Sequence, residues 1–332
     1  MSIIQSELLW YKAVVNDDTT SNGGRMTSAI SISGVKNNIW PDVSQAERVS
    51  GSTKYRKTFI KVANDDDLIL FDSRIYVETF TPGDDSIALF LGTQRDTQND
   101  ITGSERLYGS GQLSASRLIG DSFMEVVTEG ASFDMFKQGD LVRISDKVNV
   151  DDLVGNEEFV TIANTPSYTG DIVDFTFSPS LANAYTNTLT RVASVIEHGD
   201  IEGSVDGYIK SSVSGTYDEV GNPVEVDSIG TVEETITITF TSPTAYDVVG
   251  DTLGALGSGN ISSDFAPNNP DFSKPYFILR FAGFAGTWAI SDSITFDTHP
   301  AAVPVWYKRI VPAGANSFAG NKVIAAIDGE SA

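Results

Sequence analysis

The sequence predicts a mainly β protein: an antiparallel β-sandwich or barrel-like domain with a second small β domain inserted, long loops and extended terminal arms. Three observations predict it. Charged residues make up only 20% of the chain, and Ser, Thr, Val, Ile and Asp stand where helical proteins carry Glu, Lys and Arg. Glycine occurs 29 times and Phe, Tyr and Trp together reach 10%, a composition rich in turns and in strand-forming aromatics. Short apolar runs, several alternating with period two, are separated by Gly, Pro, Asn and Asp turns too brief for crossover helices. A length of 332 residues suggests about two domains. Such a chain buries roughly three quarters of its unfolded surface, so core size is no obstacle. The expected units are an N-terminal part of the main β domain over 1–120, a small barrel-like domain over 121–200, and a C-terminal part over 201–332 that completes the main domain and carries an extended arm.

Residues 7–15 are apolar and stop at the turn-rich stretch 16–24; strand and two helical turns both remain open there. Ala29 to Ser33 alternates as a short strand. Asp42 is the expected cap of one short helix closed by Gly51. Over 53–62, Tyr55, Lys57, Phe59 and Lys61 share one strand face, and Arg56, Thr58, Ile60 and Val62 the other. Runs at 68–71, 73–80 and 87–91 then form an antiparallel meander or part of a sandwich. The polar, glycine-spaced stretch 92–120 reads as a long loop or linked short turns, of a kind that makes contacts outside its own domain. Runs at 133–144, 149–162, 172–177 and 190–196 suggest a small barrel or sandwich, with Val142 and Ile144 sharing a face opposite Leu141. Residues 199–227 are rich in glycine, serine and acids. The stretch 234–240 alternates strictly, with Ile236, Ile238 and Phe240 inward. Residues 247–275 read as loop, followed by strands near 276–281, 293–297 and 303–311, and a last strand at 322–327.

The formal net charge is −23, from 22 Lys+Arg against 45 Asp+Glu. Nucleic acid and anionic lipid repel such a chain, so neither is an expected partner. The absence of cysteine excludes disulfides, zinc–thiolate and iron–sulfur sites and cysteine nucleophiles. The first residues lack the basic and apolar regions of a secretory leader, and no apolar run is long enough to span a bilayer; folding in a cytosol is expected.

Catalytic signals are weak. His198 and His299 each lie beside carboxylates, but no nucleophile elbow, Walker A sequence or strand-to-helix glycine fingerprint accompanies them. They read as turn histidines, and neither an enzyme nor a cofactor is expected. Acidic turns at 16–18, 65–67, 84–85 and 151–152, the last with Glu157 and Glu158, offer oxygen ligands. None fits the twelve-residue calcium loop: Asn149 and Asp151 are correctly spaced, but Leu153 occupies the next ligand position. No metal site is expected.

Trp10, Tyr11, Trp40, Trp288, Trp306 and Tyr307 suit a sugar-binding surface, or equally core and subunit-interface anchors. Lys54, Arg56, Lys57 and Lys61 form a dense basic patch. It is either a solvated strand face or one half of a charge-complementary contact with an acidic neighbouring subunit. Trp306, Tyr307, Lys308 and Arg309, framed by Pro304 and Pro312, look like an anchored extended segment. The interface candidates are therefore Trp10, Tyr11, Lys54, Arg56, Lys57, Trp306, Tyr307, Lys308 and Arg309.

The run Leu9 to Lys12, the segments 55–62 and 81–89, and the ending 304–315 resemble uncharacterised structural proteins of tailed bacteriophages. The stretch 136–162 resembles the small β unit that such proteins carry. This resemblance spans about half the chain and brings no active-site residues with it. It implies a virion component assembled in the host cytoplasm, an oligomeric building block of a neck, tail or baseplate. Its partners would be copies of itself and other virion structural proteins. The alternatives are a receptor- or carbohydrate-binding virion protein, a head decoration protein and, third, an enzyme that degrades surface polysaccharide.

Overall fold

Antiparallel pairing organises the chain: four main sheets and two short ribbons, with helix limited to Gln45–Ser50 and three 3-10 turns among the described residues. The computed structural model describes residues 2–128, 134–149 and 152–331; Phe133 and Asp151, singled out above, lie outside them. The mainly β class with a barrel-like unit is thus the observed one.

The first sheet runs Gly23–Ile30, Leu8–Val15, Ser52–Val62, Ala302–Val311, Ser86–Leu91. The second holds Ile196–Ile201, Leu70–Thr79 and Ile324–Ser331, in that order. Ile60, Val62, Leu89, Val303, Val305 and Tyr307 from the first sheet meet Leu70, Ile75, Val77, Ile196 and Ile201 from the second in one core. Each such side chain contributes about 1.5–3 kcal/mol by leaving water. Of the two arrangements expected for 53–91, this is the sandwich. Ser52–Val62 and Ser86–Leu91 are not neighbours, because Ala302–Val311 pairs with both, and Leu70–Thr79 belongs to the facing sheet.

Residues 7–15 resolve as a strand, Leu8–Val15, after a single 3-10 turn. Its partner begins at Gly23, earlier than the expected 29–33, and pairs through two register shifts. The short helix is capped by Ser44 and not by Asp42. Ser44 Oγ accepts from the Glu47 amide at 3.2 Å while Glu47 returns a bond to the Ser44 amide at 2.8 Å, a reciprocal box that satisfies two free amides. Asp42 lies outside that geometry and pairs with Lys36.

Six strands close a barrel: Ile172–Ser178, Phe123–Val127, Ser110–Leu113, Arg191–Ser194, Leu141–Ser145 and Glu157–Ile162, the last returning to the first through Phe177–Ile162 and Ser178–Thr161. Closure leaves no free edge in the ring. Val142 and Ile144 point into the barrel, with Met124, Phe175 and Val192, while Leu141 packs outside with Tyr76 and Ala326. Ser110–Leu113 corrects the reading of 92–120 as loop. A Cβ at Gly111 would lie 2.3 Å from the Val127 carbonyl oxygen, so glycine here permits close strand packing where the sequence suggests a turn.

The third unit is a five-stranded sheet, in order Ser204–Ser211, Ser293–His299, Glu234–Phe240, Ala245–Gly250, Gly254–Asn260. Ile236, Ile238 and Phe240 point inward as expected, under Tyr217, Phe277, Leu279 and Trp288. The expected loop 247–275 begins instead with a strand hairpin. Its second strand holds three glycines for two reasons: a Cβ at Gly259 would be 2.4 Å from the Tyr246 ring, while Gly254 and Gly257 take positive φ. Residues 276–281 supply cover and two isolated bridges, not a strand.

Candidate contact surface

The nine interface candidates converge, but mostly inside the chain. Trp306 lies opposite Lys57, Tyr307 opposite Arg56, Lys308 opposite Tyr55 and Arg309 opposite Lys54; Tyr11 lies opposite Phe59 on the other side. Tyr11, Arg56, Lys57, Trp306, Tyr307 and Arg309 are buried, and Trp10, Lys54 and Lys308 half-buried. The physical reason is that their strands are interior strands of a sheet covered on both faces.

Lys54, Arg56, Lys57 and Arg309 each have an acidic or carbonyl partner from a nearby loop or from the short helix. The Lys57 ammonium donates to Asp96 Oδ1 at 2.6 Å and to the Gly24 carbonyl at 2.7 Å. Asp96 also accepts from Trp306 Nε1 at 2.8 Å, and Trp306 stacks on Phe90 with an interplanar angle of 6°. Arg56 pairs with Asp18, and Lys54 with Asp18 and Glu47. Trp40 lies between the Arg56 and Arg309 guanidinium groups, 4.9 and 4.5 Å from its centroid. The acidic counterpart imagined on a neighbouring subunit is therefore supplied by the chain itself. Of the aromatics weighed as a sugar platform, Trp288 is buried against Phe240 at 4.1 Å between centroids.

Lys61 is the exception. It is fully buried, its ammonium has no hydrogen-bond partner among the described residues, and it faces the Phe272 ring at 5.5 Å. Burial pushes its pKa down to about 8, with the charge of Asp227 opposing the shift. Phe272 also packs edge-on against Tyr11, so this contact joins the first sheet to the third unit. Around it run Arg25 to Glu234, a forked Arg95–Asp251 pair, and Lys274 to Asp65 at 2.8 Å. Two of these pairs set acids of the third unit, Glu234 and Asp251, against cations from the first part of the chain, and the third runs the other way, from Lys274 to Asp65.

The two histidines, about a hundred residues apart in sequence, line one small cavity of 290 Å³ with Glu202 and Glu233. His299 Nδ1 lies 2.9 Å from Glu233 Oε2, and Nε2 lies 3.1 Å from Asp206 Oδ1. Burial would lower its pKa, but the two carboxylate bonds outweigh burial and raise it. Among the described residues no group of three or more His, Asp or Glu side chains is arranged to hold a metal ion. The acidic turns considered for calcium spend their oxygens elsewhere: Asp67 on the Ser228 amide, Asp84 on Asn316, Asp85 on Asn321 and Asp152 on Asn149.

A surface groove of about 2290 Å³ opens beside the last strand. Its floor is the last strand: consecutive residues from Lys322 to Asp328 all face it. Among the described residues Ile324–Ser331 pairs with Leu70–Thr79 alone and is the outer strand of its sheet, so its other backbone edge is turned to the groove that it lines. The walls carry exposed aliphatic and aromatic side chains from three separate segments: Ile32 and Val35, Leu153 at a barrel hairpin tip, and Phe318. Sequence reasoning missed this surface, because its residues come from widely separated stretches, 29–33, the run 149–162, the tail near Phe318 and the last strand, that meet only in the fold.

No protein-family model and no curated protein matches the chain. Among solved structures, the crystal structure of infectious bursal disease virus VP2 subviral particle aligns over 88% of this chain and 81% of that one, at 11% identity and a TM-score of 0.11. At that score no shared fold follows.

Proposed function

We propose that this chain is a non-enzymatic structural component of a tailed-phage virion, an oligomeric building block of a neck, tail or baseplate assembly. The observation that carries the reading is the open strand edge at the floor of a groove with exposed apolar walls. Soluble proteins usually guard such edges, and contiguous apolar exposure marks contact sites. The sequence resemblance gives the setting. In this reading affinity comes from strand addition and modest apolar contacts, with charge selecting the partner.

Native mass spectrometry over a range of salt and protein concentration tests self-assembly, and mass spectrometry of purified particles tests virion membership. Concentration-dependent oligomers or a closed ring, with the chain present in particles, are expected. A strict monomer under every condition, together with absence from particles, would overturn the reading.

A further inference from the structure

We propose that the groove over Ile324–Ser331 receives an extended segment of a different protein, one that alternates aliphatic with basic residues. The inference rests on the building-block reading above and names the partner for its open surface. Eight residues at about 3.3 Å each give an edge of roughly 26 Å, enough for an added strand.

Edge chemistry and exposure narrow the choice: Ser86–Leu91, uncharged and in regular register, is almost wholly buried and bridged through Leu89 to Tyr108. Ser204–Ser211 carries Asp206 and Lys210 and a register shift, and Gly23–Ile30 is interrupted by two shifts; charges and bulges of this kind discourage pairing. Gly254–Asn260 is broken by a shift and by glycines. Ile324–Ser331 also has two shifts, between Ile324 and Ala325 and between Asp328 and Glu330, and its two acids, Asp328 and Glu330, lie in its second half. Between the shifts Ala325, Ala326 and Ile327 keep regular register with no charge. Alternate side chains of an added strand would point toward Leu153, Phe318, Ile32 and Val35.

Charge decides between occupants. Carboxylates outnumber cations along the groove, so a cationic segment is favoured there over an edge of a second, acidic copy. The chain's own basic strand, Lys54 to Lys61, is committed inside the first sheet. A cationic segment from another protein satisfies both conditions, with its alternate lysines or arginines near Asp84, Asp152 and Asp328.

The probe is a fluorescein-labelled, end-capped ten-residue peptide of alternating Val and Lys, titrated with the full-length protein and read by anisotropy at 150 mM salt, about one Debye length of 8 Å. A Ser–Lys peptide keeps the charge without the apolar face, and a Val–Glu peptide reverses the charge. The expected order is Val–Lys at least tenfold tighter than Ser–Lys, with Val–Glu unbound. Leu153→Ser and Phe318→Ser, at exposed positions, should each weaken Val–Lys at least fivefold. Val213→Ser, fully exposed outside the groove, should not. Hydrogen exchange at 324–328 should slow in the complex.

Equal binding of Val–Lys and Ser–Lys, or affinity unchanged by both groove substitutions, would overturn the proposal. So would self-association abolished by Leu153→Ser or Phe318→Ser, because the occupant would then be a second copy. Oligomers that persist in both variants while no peptide binds would remove this inference and leave the building-block reading standing.

Discussion

Lys61 is the residue whose environment departs furthest from its chemistry. A depression from 10.5 to about 8 corresponds to about 3 kcal/mol held against the folded state at neutral pH, at 1.36 kcal/mol per pKa unit. The penalty is complete below pH 8 and is relieved as the pH rises from about 8 to 10.5, where the unfolded lysine also loses its proton. Lys61→Met should therefore raise stability by roughly 1–3 kcal/mol at pH 7, an advantage that shrinks above pH 8; chemical denaturation at pH 7 and pH 10 measures both. His299 has the opposite sign. Its raised pKa contributes stability that is full below about 6.5 and is lost as the pH climbs through the folded value. Thermal unfolding from pH 5.5 to 8.5 should show this decline in the wild type and a flatter profile in His299→Gln. Neither role is legible in the sequence. Lys57 and Lys61 alternate with Tyr55 and Phe59 just as a solvated face would, and the groups that decide otherwise, Asp96, Phe272 and Asp227, lie in distant stretches.

Elements were readable where one face is apolar and the other polar. The strand Glu234–Phe240 satisfies that condition and was anticipated to its inward residues. Ser110–Leu113 and Gly254–Asn260 were not, because the feature that makes them strands is contact with a neighbour over glycine, and glycine alone signals a turn. Gly111→Ala tests this. A methyl group 2.3 Å from the Val127 carbonyl must push strands apart, at a cost of roughly 1–3 kcal/mol. The unfolding midpoint should fall accordingly, and exchange at 123–127 and 191–194 should quicken. An unchanged midpoint would mean that the ring yields there without strain.

Across the whole molecule the chain leaves the sandwich twice, once for the barrel and once for the third unit, and each excursion has its own core. The third unit is bound to the first sheet by ion pairs centred on Glu234, a buried carboxylate that accepts from Arg25, from the Thr252 hydroxyl and, at 3.0 Å, from the Thr252 amide. Glu234→Ala leaves the partly buried Arg25 with only its longer contact to Asp251, at 3.6 Å, and frees the 251–253 turn. The expected loss is about 3–5 kcal/mol, and limited proteolysis should cut near 200 and 300 before the barrel is touched. Cleavage that begins within the barrel would place the weak joint elsewhere. This architecture was half legible: the inserted barrel follows from the strands resuming on either side of it. The separate core of the third unit depends on Trp288, Phe277 and Leu279 folding back over the sheet, which no periodicity encodes.

The position of Ala302–Val311 between Ser52–Val62 and Ser86–Leu91 also sets an order of events on the ribosome. The barrel has all its strands once Ser194 has emerged, and the third sheet once His299 has. The two early strands of the sandwich must wait without their shared partner while more than two hundred further residues are translated. Biogenesis therefore runs from the insertions inward, and the sandwich, although begun first, is sealed last.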